Sequence, residues 1–323
     1  MDSIVKGGGM SEGLCGLSLI LFFLFSSTCP VMAEEPVLTG TLLQDTLMHG
    51  GKKRSFLVYM PDGDIAGRPL FLVLHGSKGK GKSVRQQSGY QFDVLADREK
   101  CIVVYPDGYR KHWNDCRSAP KDKAHTKDID DVGFLTALVE MCCTRWHADP
   151  ARVYAVGFSN GGHMCFRLAA EVPDKIAGIT AIAANMPAPG WSKCPAPENG
   201  FPVMIVSGTD DPINPYEGGK VRLFHFIKKG EVLPASDSAK AWLKSEDMGK
   251  KPVSKKLIDH DLEDGTEVEI LTWPDSRVRL YTIRGGGHTI PGGEQYLPAS
   301  IVGRVSHDIN IAQEVWEFFV AVE

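Results

Sequence analysis

The residues with the clearest chemical potential are Gly157-Phe158-Ser159-Asn160-Gly161, a serine with a glycine two positions away on each side. Residues 152–156 before them form an apolar, β-branched run that predicts a buried strand, and residues 163–171 after them predict a helix. In a sharp strand-to-helix turn the backbones come so close that a Cβ at either glycine would collide. Such a turn would lift the Ser159 hydroxyl out of the sheet, beside the unpaired N–H groups of the first helical turn. A glycine turn without chemical function is the alternative interpretation.

Activation of a serine hydroxyl requires a base that takes its proton and an acid that orients this base. His288 is the predicted base, because it follows the predicted last strand at 278–283 and lies in a glycine-rich loop. Asp210 and Asp211 follow a predicted strand at 203–207, and either could be the acid. The carboxyl ends of parallel strands meet at one edge of a sheet, so the three loops would converge there. Three other late histidines fit the role of base less well, namely His225, His260 and His307.

Attack on a carbonyl carbon would create an oxyanion, which two backbone N–H groups would have to stabilise. One donor is predicted to be the N–H of Asn160, directly after the serine. The other is expected in the loop after the strand at 69–74, where His75, Gly76 and Ser77 follow one another, and the N–H of Ser77 is favoured. His75 itself is expected to have a structural role. These groups together predict a covalent acyl-enzyme that water then hydrolyses.

A competing pattern, G-x-x-x-x-G-K-[ST], runs from Gly76 to Ser83 and is typical of a loop that binds nucleotide phosphates. In that interpretation Lys82 would bind the β- and γ-phosphates and Ser83 would bind Mg²⁺. It depends on one stretch rich in glycine and lysine, whereas the serine hypothesis uses three separate loops in the required order, so it is less favoured. The basic side chains of this region are expected to be either solvated or a rim that attracts acidic substrates. They are Lys78, Lys80, Lys82 and Arg85.

Strands and helices alternate along most of the chain, which predicts an α/β fold with a mostly parallel, doubly wound sheet and helices on both faces. Neither an internal repeat nor a linker divides residues 34–323, so one domain is predicted. The predicted strands cover residues 38–47, 54–60, 69–74, 101–105, 152–156, 176–184, 203–207, 268–272 and 278–283. The predicted helices cover residues 91–98, 131–146, 163–171, 235–243 and 309–320, and residues 77–83 are expected to form a loop.

The first 33 residues have the features of a secretory signal peptide. A basic residue precedes an apolar core at 14–25 that is too short to span a bilayer, and Val31-Met32-Ala33 predicts cleavage after Ala33. The protein is therefore predicted to be secreted or periplasmic, with residues 34–323 as its catalytic domain. A lipoprotein attached through Cys29 is less favoured. The formal net charge of −4 gives no indication of nucleic-acid binding, and no other segment is expected to insert into a membrane.

The cysteines that follow the predicted signal peptide are even in number, which in an exported protein favours disulfides. The sequence leaves their connectivity open. Cys101, at the start of a strand, could pair with Cys142 or Cys143 at the end of the next helix. Cys165, in the helix behind the serine, is expected to be a buried free thiol. No C-x-x-C spacing indicates zinc, and neither a metal nor a cofactor is expected.

Together these motifs resemble those of the polyhydroxybutyrate-depolymerase-like secreted esterases, which are related to feruloyl and acetylxylan esterases. The resemblance implies an α/β-hydrolase fold and the activity of a serine esterase. In the G-T-x-D-P motif of that family the second aspartate is the acid, which selects Asp211 over Asp210 and implies a triad of Ser159, Asp211 and His288. The matching segments are residues 72–76, 105–108, 113–115, 130–134, 157–162, 208–212, 286–289, 291–293 and 316–319.

The sequence also departs from that family. Ile290 stands beside the base where the family often has tryptophan, and Trp113 and Ile290 are predicted to wall the substrate pocket, although Trp113 could instead pack only its own loop. A cysteine pair common in the family would fall near Met248 and Ser276. No polymer-binding domain follows Glu323, which favours small or soluble esters. The expected substrates are short-chain hydroxyalkanoate, acetyl or feruloyl-type esters, released from polyester or polysaccharide. Acyl transfer and non-catalytic binding are the alternatives.

Overall fold

The computed structural model describes residues 36–63, 66–223, 227–247, 249–273 and 277–322. The predicted signal peptide, with Cys29 and Ala33, lies outside the described residues, and so do Met248 and Ser276. Residues 35–323 form one compact unit. The start of the catalytic domain directly after Ala33 stays a prediction. In the part of the chain that the structure describes, no helix is both long and apolar enough to cross a membrane.

The apolar, β-branched runs of the sequence form strands, most of them within one or two residues of the predicted bounds. The strands are β1 (Thr41–His49), β2 (Lys52–Met60), β3 (Arg68–Leu74), β4 (Ile102–Pro106), β5 (Ala148–Phe158), β6 (Gly178–Ile182), β7 (Val203–Gly208), β8 (Gly219–Leu223), β9 (Ile227–Val232), β10 (Val253–Ile258), β11 (Glu267–Thr272) and β12 (Val278–Arg284).

Ten of the described strands form one sheet in the order β1-β2-β4-β3-β5-β6-β7-β12-β11-β10. The six central strands, from β4 to β12, run parallel, and two antiparallel strands flank them on each side. This arrangement confirms the predicted mostly parallel sheet. It also brings the carboxyl ends of β5, β7 and β12 close together, because β6 alone separates β5 from β7 and β12 is paired directly with β7.

Helices cover both faces of the sheet, which confirms the doubly wound α/β architecture. Along β3, Leu70, Leu72 and Leu74 belong to one buried core, whereas Phe71 and Val73 belong to the other, as the alternation of a strand requires. The helices are α1 (Gly81–Gln87), α2 (Gln91–Glu99), α3 (Lys123–Thr126), α4 (Asp131–Trp146), α5 (Asn160–Glu171), α6 (Ala235–Lys240), α7 (Ala299–Val302) and α8 (Ile311–Val320). Helices α4, α5 and α6 contribute to the first core, and α1, α2 and α8 contribute to the second.

Local sequence signals explain where several of these helices begin. Helix α4 occupies the predicted range, and Asp130 caps it by accepting a hydrogen bond of 2.8 Å from the N–H of Gly133. Helix α1 differs from the expectation, because the region predicted as a loop becomes helical at Gly81. The Ser83 hydroxyl accepts from the N–H of Lys80 at 2.6 Å, and this bond between a side chain and the backbone starts the turn.

The disulfide of the structure differs from the predicted one. Cys116 is bonded to Cys194, which joins the loop after β4 to the proline-rich loop before β7. Cys101, Cys142 and Cys143 are free thiols. The predicted pairing was wrong because Cys101 is buried in the core on one face of the sheet, while Cys142 and Cys143 pack in the core on the opposite face.

Candidate active site

The turn between β5 and α5 has the geometry of a nucleophile elbow. Ser159 has φ of 54° and ψ of −114°, a strained conformation with positive φ that other contacts must stabilise. A Cβ at Gly157 would meet the backbone of Gly161, and a Cβ at Gly161 would meet the carbonyl oxygen of Leu74. Both glycines are therefore needed for close approach of backbones, as the sequence predicts. The Ser159 side chain is half-buried and reaches a cavity.

Two hydrogen bonds connect Ser159, His288 and Asp211. The Nε2 atom of His288 lies 2.8 Å from Ser159 Oγ, and its Nδ1 atom lies 2.7 Å from Asp211 Oδ2. A carboxylate can only accept, so Nδ1 carries the proton and Nε2 is left to accept the hydroxyl proton of Ser159. The other oxygen of Asp211 accepts the N–H groups of Ile213 at 2.7 Å and Asn214 at 2.8 Å. Asp211 therefore has a fixed orientation.

The neighbouring carboxylate, Asp210, has no contact with the histidine. Its side chain is exposed, and its Oδ1 accepts a hydrogen bond from the hydroxyl of Thr209 at 3.0 Å. The loops after β7 and β12 approach so closely that a Cβ at Gly208 would collide with the carbonyl of Gly286. This contact holds the loop that carries Asp211 next to the loop that carries His288.

The two predicted oxyanion donors lie at the start of α5 and in the loop after β3. Asn160 begins α5, so its N–H lies in the first turn, where no intrahelical acceptor exists. Ser77 follows β3 and lines the same cavity as Ser159. Within the described ranges, neither N–H donates to a protein acceptor. Both remain available for a substrate oxygen, with the N–H of Gly76 as a third candidate in the same loop.

The predicted role of Trp113 as a pocket wall is wrong, because its side chain is completely buried and does not line the cavity. Its indole N–H donates to the carbonyl of His75 at 2.9 Å, and its ring lies 5.0 Å from the His75 ring. Its backbone N–H donates to Asn160 Oδ1 at 2.9 Å. Trp113 therefore connects the loop that carries Ser77 to the start of α5, so it positions both candidate oxyanion donors.

Ile290 is not a pocket wall either. It is only 3% exposed and packs in the core on the side of α1, α2 and α8, and the cavity lining does not include it. The polypeptide turns after His288, so the side chain two residues later points into this core. The predicted wall of Trp113 and Ile290 is thus replaced by other residues.

The cavity beside Ser159 has a volume of about 480 Å³. About half of its lining residues lie outside the motifs that the sequence predicts for the site. The side chains of Phe158, Leu297 and Ile301 are apolar, while Arg222 and Lys78 are basic. Residues 296–302 lack the periodicity of a long element, so no sequence signal identified them. The remaining lining residues are Gly76, Ser77, Gly79, Gln87, Ser159, Pro212, Ile213, His288, Tyr296, Ser300 and Val302.

The basic glycine-rich loop does not have the arrangement of a phosphate-binding loop. Most of its N–H groups already donate to acceptors within the protein: Lys78 to Lys111 O, Gly79 to Gly76 O, Lys80 to Ser83 Oγ, Gly81 to Asp107 Oδ1, and Ser83 to Lys80 O. Phosphate binding would need these groups free. Three of its four basic side chains also separate, since Lys78 lines the cavity, Lys80 lines a different cleft, and Arg85 pairs with Asp93 at 2.6 Å. Among the described residues, no cluster of three or more His, Cys, Asp or Glu could hold a metal ion.

His75 is held as a neutral imidazole beneath the candidate oxyanion loop. Its Nδ1–H donates to the carbonyl of Gly76 at 2.7 Å, and its Nε2 accepts the N–H of Gly108 at 2.9 Å. Burial disfavours the charged form and lowers the pKa of His75 to about 4. Both nitrogens are therefore used for structure, which agrees with the expected structural role.

Acidification should consequently destabilise the protein through His75. A histidine whose folded pKa lies below its unfolded value contributes stability above pH 6.5 that is lost as the pH falls towards 4. We expect the wild type to lose about 3 kcal/mol of unfolding free energy from this group between pH 7 and pH 4. His75→Asn lacks this loss. The difference in unfolding free energy between the wild type and this variant should therefore shrink by that amount between pH 7 and pH 4, and urea denaturation at each pH measures it. If the unfolding free energies of the two proteins changed in parallel with pH, the lowered pKa of His75 would be contradicted. His307→Asn is the control, because it replaces an exposed histidine.

The sheet order, the elbow after β5 and the acid and histidine after β7 and β12 define the class of the α/β-hydrolases. The acetyl xylan esterase from Aspergillus awamori has a similar fold, with a TM-score of 0.54 over 87% of this chain and 99% of its own, at 16% identity.

A sequence model of the family described as esterase PHB depolymerase matches residues 54–187. The candidate esterase NocK of Nocardia uniformis subsp. tsuyamanensis is 31% identical over 306 residues, which cover 89% of this chain and 85% of that protein. The chain belongs to this esterase family, as its motifs indicate, and is a serine hydrolase of the carboxylesterase type.

Feruloyl esterase B of Piromyces equi is a more distant relative. It is 26% identical over 251 residues, and the match covers 75% of this chain but only 44% of that larger protein. The activity and substrates of such a relative belong to a longer polypeptide. The cavity of this chain, and not the name of that relative, therefore indicates which ester this chain cleaves.

Proposed function

We propose that this chain hydrolyses carboxylic esters with Ser159 as nucleophile, His288 as general base and Asp211 as the acid that orients the base. The observation that carries the proposal is the continuous line of two hydrogen bonds, 2.7 Å and 2.8 Å long, from Asp211 through His288 to Ser159 Oγ. This line ends in a cavity large enough for a small ester. Membership of an esterase family supports the same chemistry.

In the first half of the reaction, Ser159 Oγ attacks the ester carbonyl carbon while its proton moves to His288 Nε2. The carboxylate of Asp211 stabilises the imidazolium that forms, and it keeps the ring in the reactive orientation. The carbonyl oxygen becomes an oxyanion that accepts hydrogen bonds from the N–H groups of Ser77 and Asn160. When the intermediate collapses, His288 returns the proton to the leaving alcohol and an acyl-serine remains.

In the second half, water replaces the alcohol. His288 accepts a proton from this water as it attacks the acyl carbonyl, and the same two N–H groups stabilise the second oxyanion. The collapse of this intermediate restores the Ser159 hydroxyl and releases the acid. Because hydrogen bonds hold Ser159, His288 and Asp211 in place before substrate binds, little reorganisation is needed in either step.

The size and lining of the cavity support short or medium esters. A volume of about 480 Å³ with apolar walls at Phe158, Leu297 and Ile301 fits an acyl group of a few carbons or a single aromatic ring. Acetyl, short hydroxyalkanoate and feruloyl-type esters all meet this description. The proposed catalytic domain is residues 34–323, and secretion after cleavage at Ala33 is part of the proposal. The Cys116–Cys194 disulfide supports an oxidising compartment.

Reaction with a fluorophosphonate tests the proposal directly, because this reagent forms a stable adduct only with an activated serine. We expect one adduct per chain, located by mass spectrometry on Ser159, and competition by p-nitrophenyl butyrate. Ser300→Ala is the matched control, since Ser300 lines the same cavity but has no base beside it, and it should label like the wild type. Absence of labelling, or an adduct at another serine, would refute the assignment.

A panel of esters then separates hydrolysis from its alternatives. Turnover of acetyl, butyryl, hydroxybutyryl-oligomer and feruloyl esters in water alone is expected if the acyl-enzyme reacts with water. An acyltransferase would instead need an added alcohol or sugar acceptor for comparable turnover, and a binding protein would form no acyl-serine.

A further inference from the structure

We propose that this cavity selects esters that carry a free carboxylate on their acid or alcohol part, and that Arg222 binds this carboxylate. The inference rests on the proposed function, because it concerns the cavity into which Ser159 opens. Ser159, His288 and Asp211 would hydrolyse charged and neutral esters alike, whereas Arg222 would determine the preference for charged ones.

The charge of the cavity is the first observation. Apart from His288, the charged side chains among its described lining residues are Lys78 and Arg222, and no aspartate or glutamate lines it. The chain as a whole has a net charge of −4, so a purely basic lining does not follow from its composition. A concave surface of one sign with apolar walls focuses its potential on the bound molecule. An anionic group on the substrate would therefore be attracted.

The second observation is that Arg222 has no carboxylate partner. Its side chain is exposed, and within the described ranges it forms no ion pair. Other arginines of this chain do have partners, such as Arg85 with Asp93 at 2.6 Å and Arg284 with Glu269 at 2.9 Å. A guanidinium with free N–H groups at the edge of a cavity can form two parallel hydrogen bonds to a carboxylate.

The third observation is that Arg222 has a fixed position relative to the proposed triad. Its backbone N–H donates to the carbonyl of Ile213 at 3.1 Å, which attaches β8 to the loop after β7. The N–H of Ile213 in turn donates to Asp211 Oδ1 at 2.7 Å. Two backbone contacts therefore connect the strand of Arg222 to the acid of the site. The backbone of Arg222 is therefore fixed relative to the acid, and a carboxylate held by Arg222 would stay within the reach of one arginine side chain from this point.

The apolar walls of the cavity strengthen the attraction between Arg222 and a substrate carboxylate. Phe158, Ile213 and Ile301 line the space that the uncharged part of the substrate would fill. Electrostatic attraction is stronger where such walls exclude water. The contact is the same in the ground state and the transition state, because the carboxylate is remote from the reacting bond. It should therefore lower KM more than it raises kcat.

Two pairs of esters test the inference. On the acid side, mono-p-nitrophenyl glutarate is compared with p-nitrophenyl valerate, which has a similar chain without the charge. On the alcohol side, 3-acetoxybutyrate is compared with sec-butyl acetate, which has a similar chain without the charge and a single ester bond. We expect the wild type to favour the charged member of at least one pair by about tenfold or more in kcat/KM. The pair that shows the preference identifies which part of the ester carries the carboxylate.

Arg222→Gln should abolish that preference by raising KM for the charged ester, and Arg222→Lys should restore only part of it because lysine lacks the planar fork. Lys220→Gln is the matched control. Lys220 lies on the same strand and is exposed, but it lines only the adjoining cleft, so the wild-type preference should persist.

The outcomes separate the two proposals. Equal kcat/KM for charged and neutral esters in the wild type, or loss of preference in Lys220→Gln as well as in Arg222→Gln, would refute the role of Arg222 while leaving ester hydrolysis intact. Failure of the wild type to hydrolyse either member of both pairs, together with absence of fluorophosphonate labelling, would instead refute the proposed function. Raised salt should reduce the preference, since ions screen exposed charges.

Discussion

Ser159→Ala is expected to lower kcat for p-nitrophenyl butyrate by about a million-fold, because removal of the proposed nucleophile from the proposed triad leaves only binding and the candidate oxyanion donors. The substitution removes one oxygen atom, and the N–H groups of Asn160 and Ser77 remain where they are. The conformation of the turn should persist, since alanine can be held at φ of 54° by the same contacts. Steady-state kinetics with active-site titration of the wild type measures the effect.

Ser300→Ala is the control for this experiment, because it removes a second hydroxyl from the same cavity without touching the hydrogen-bonded line. Its kcat should stay within about twofold of the wild-type value. Circular dichroism and thermal unfolding establish that both variants are folded. A Ser159→Ala protein that retained even a hundredth of wild-type kcat would show that another group performs the attack.

Asp211→Asn is expected to lower kcat by about ten-thousand-fold, which is the second largest effect. The amide oxygen can still accept the N–H groups of Ile213 and Asn214, so the loop should keep its shape. The amide nitrogen, however, would face His288 Nδ1 as a donor. The histidine would then carry its proton on Nε2, where it can no longer accept the proton of Ser159.

The adjacent carboxylate supplies the control for that substitution. Asp210→Asn changes the same charge one residue earlier, on an exposed side chain that contacts Thr209. Its kcat should remain close to that of the wild type. If Asp210→Asn lost as much activity as Asp211→Asn, general electrostatics of the loop, and not the hydrogen bond to His288, would be responsible.

The architecture around Ser159 could be predicted because its signals are local. The glycine at 157 is required by a contact within the turn itself, and the apolar runs of β3, β5 and β7 are long enough to be recognised from their own residues. The glycine at 161 also meets β3, but the same five-residue pattern reveals it. The order of serine, aspartate and histidine then follows from parallel strands that end at one edge. The choice between Asp210 and Asp211 needed the family resemblance, because both follow the same strand and only their hydrogen bonds in the folded protein, to Thr209 and to His288, distinguish them.

Features that depend on distant contacts were not predictable. Trp113 is buried because its indole meets His75 and its backbone meets Asn160, which lie 38 and 47 residues away in the sequence. The cysteine pairing depended on which face of the sheet each cysteine lies on. The sequence predicts that a cysteine lies near the end of a strand or helix, but it does not predict the face. Arg222 and residues 296–302 show no recognisable sequence pattern. Residues that line a cavity are brought together by the fold, so they need suitable side chains but no fixed spacing in the sequence.

The hydrogen bonds among Trp113, His75 and Asn160 also affect how the enzyme could change over evolutionary time. The groups proposed for catalysis are anchored from the interior by these bonds, whereas Leu297 and Ile301 are 38% and 43% exposed and contribute their surface to the cavity from outside. Substitution at such positions costs little stability. New ester preferences can therefore arise by exchange of outer residues while the inherited chemistry is retained, which suits a chain whose sequence relatives are named for different esters.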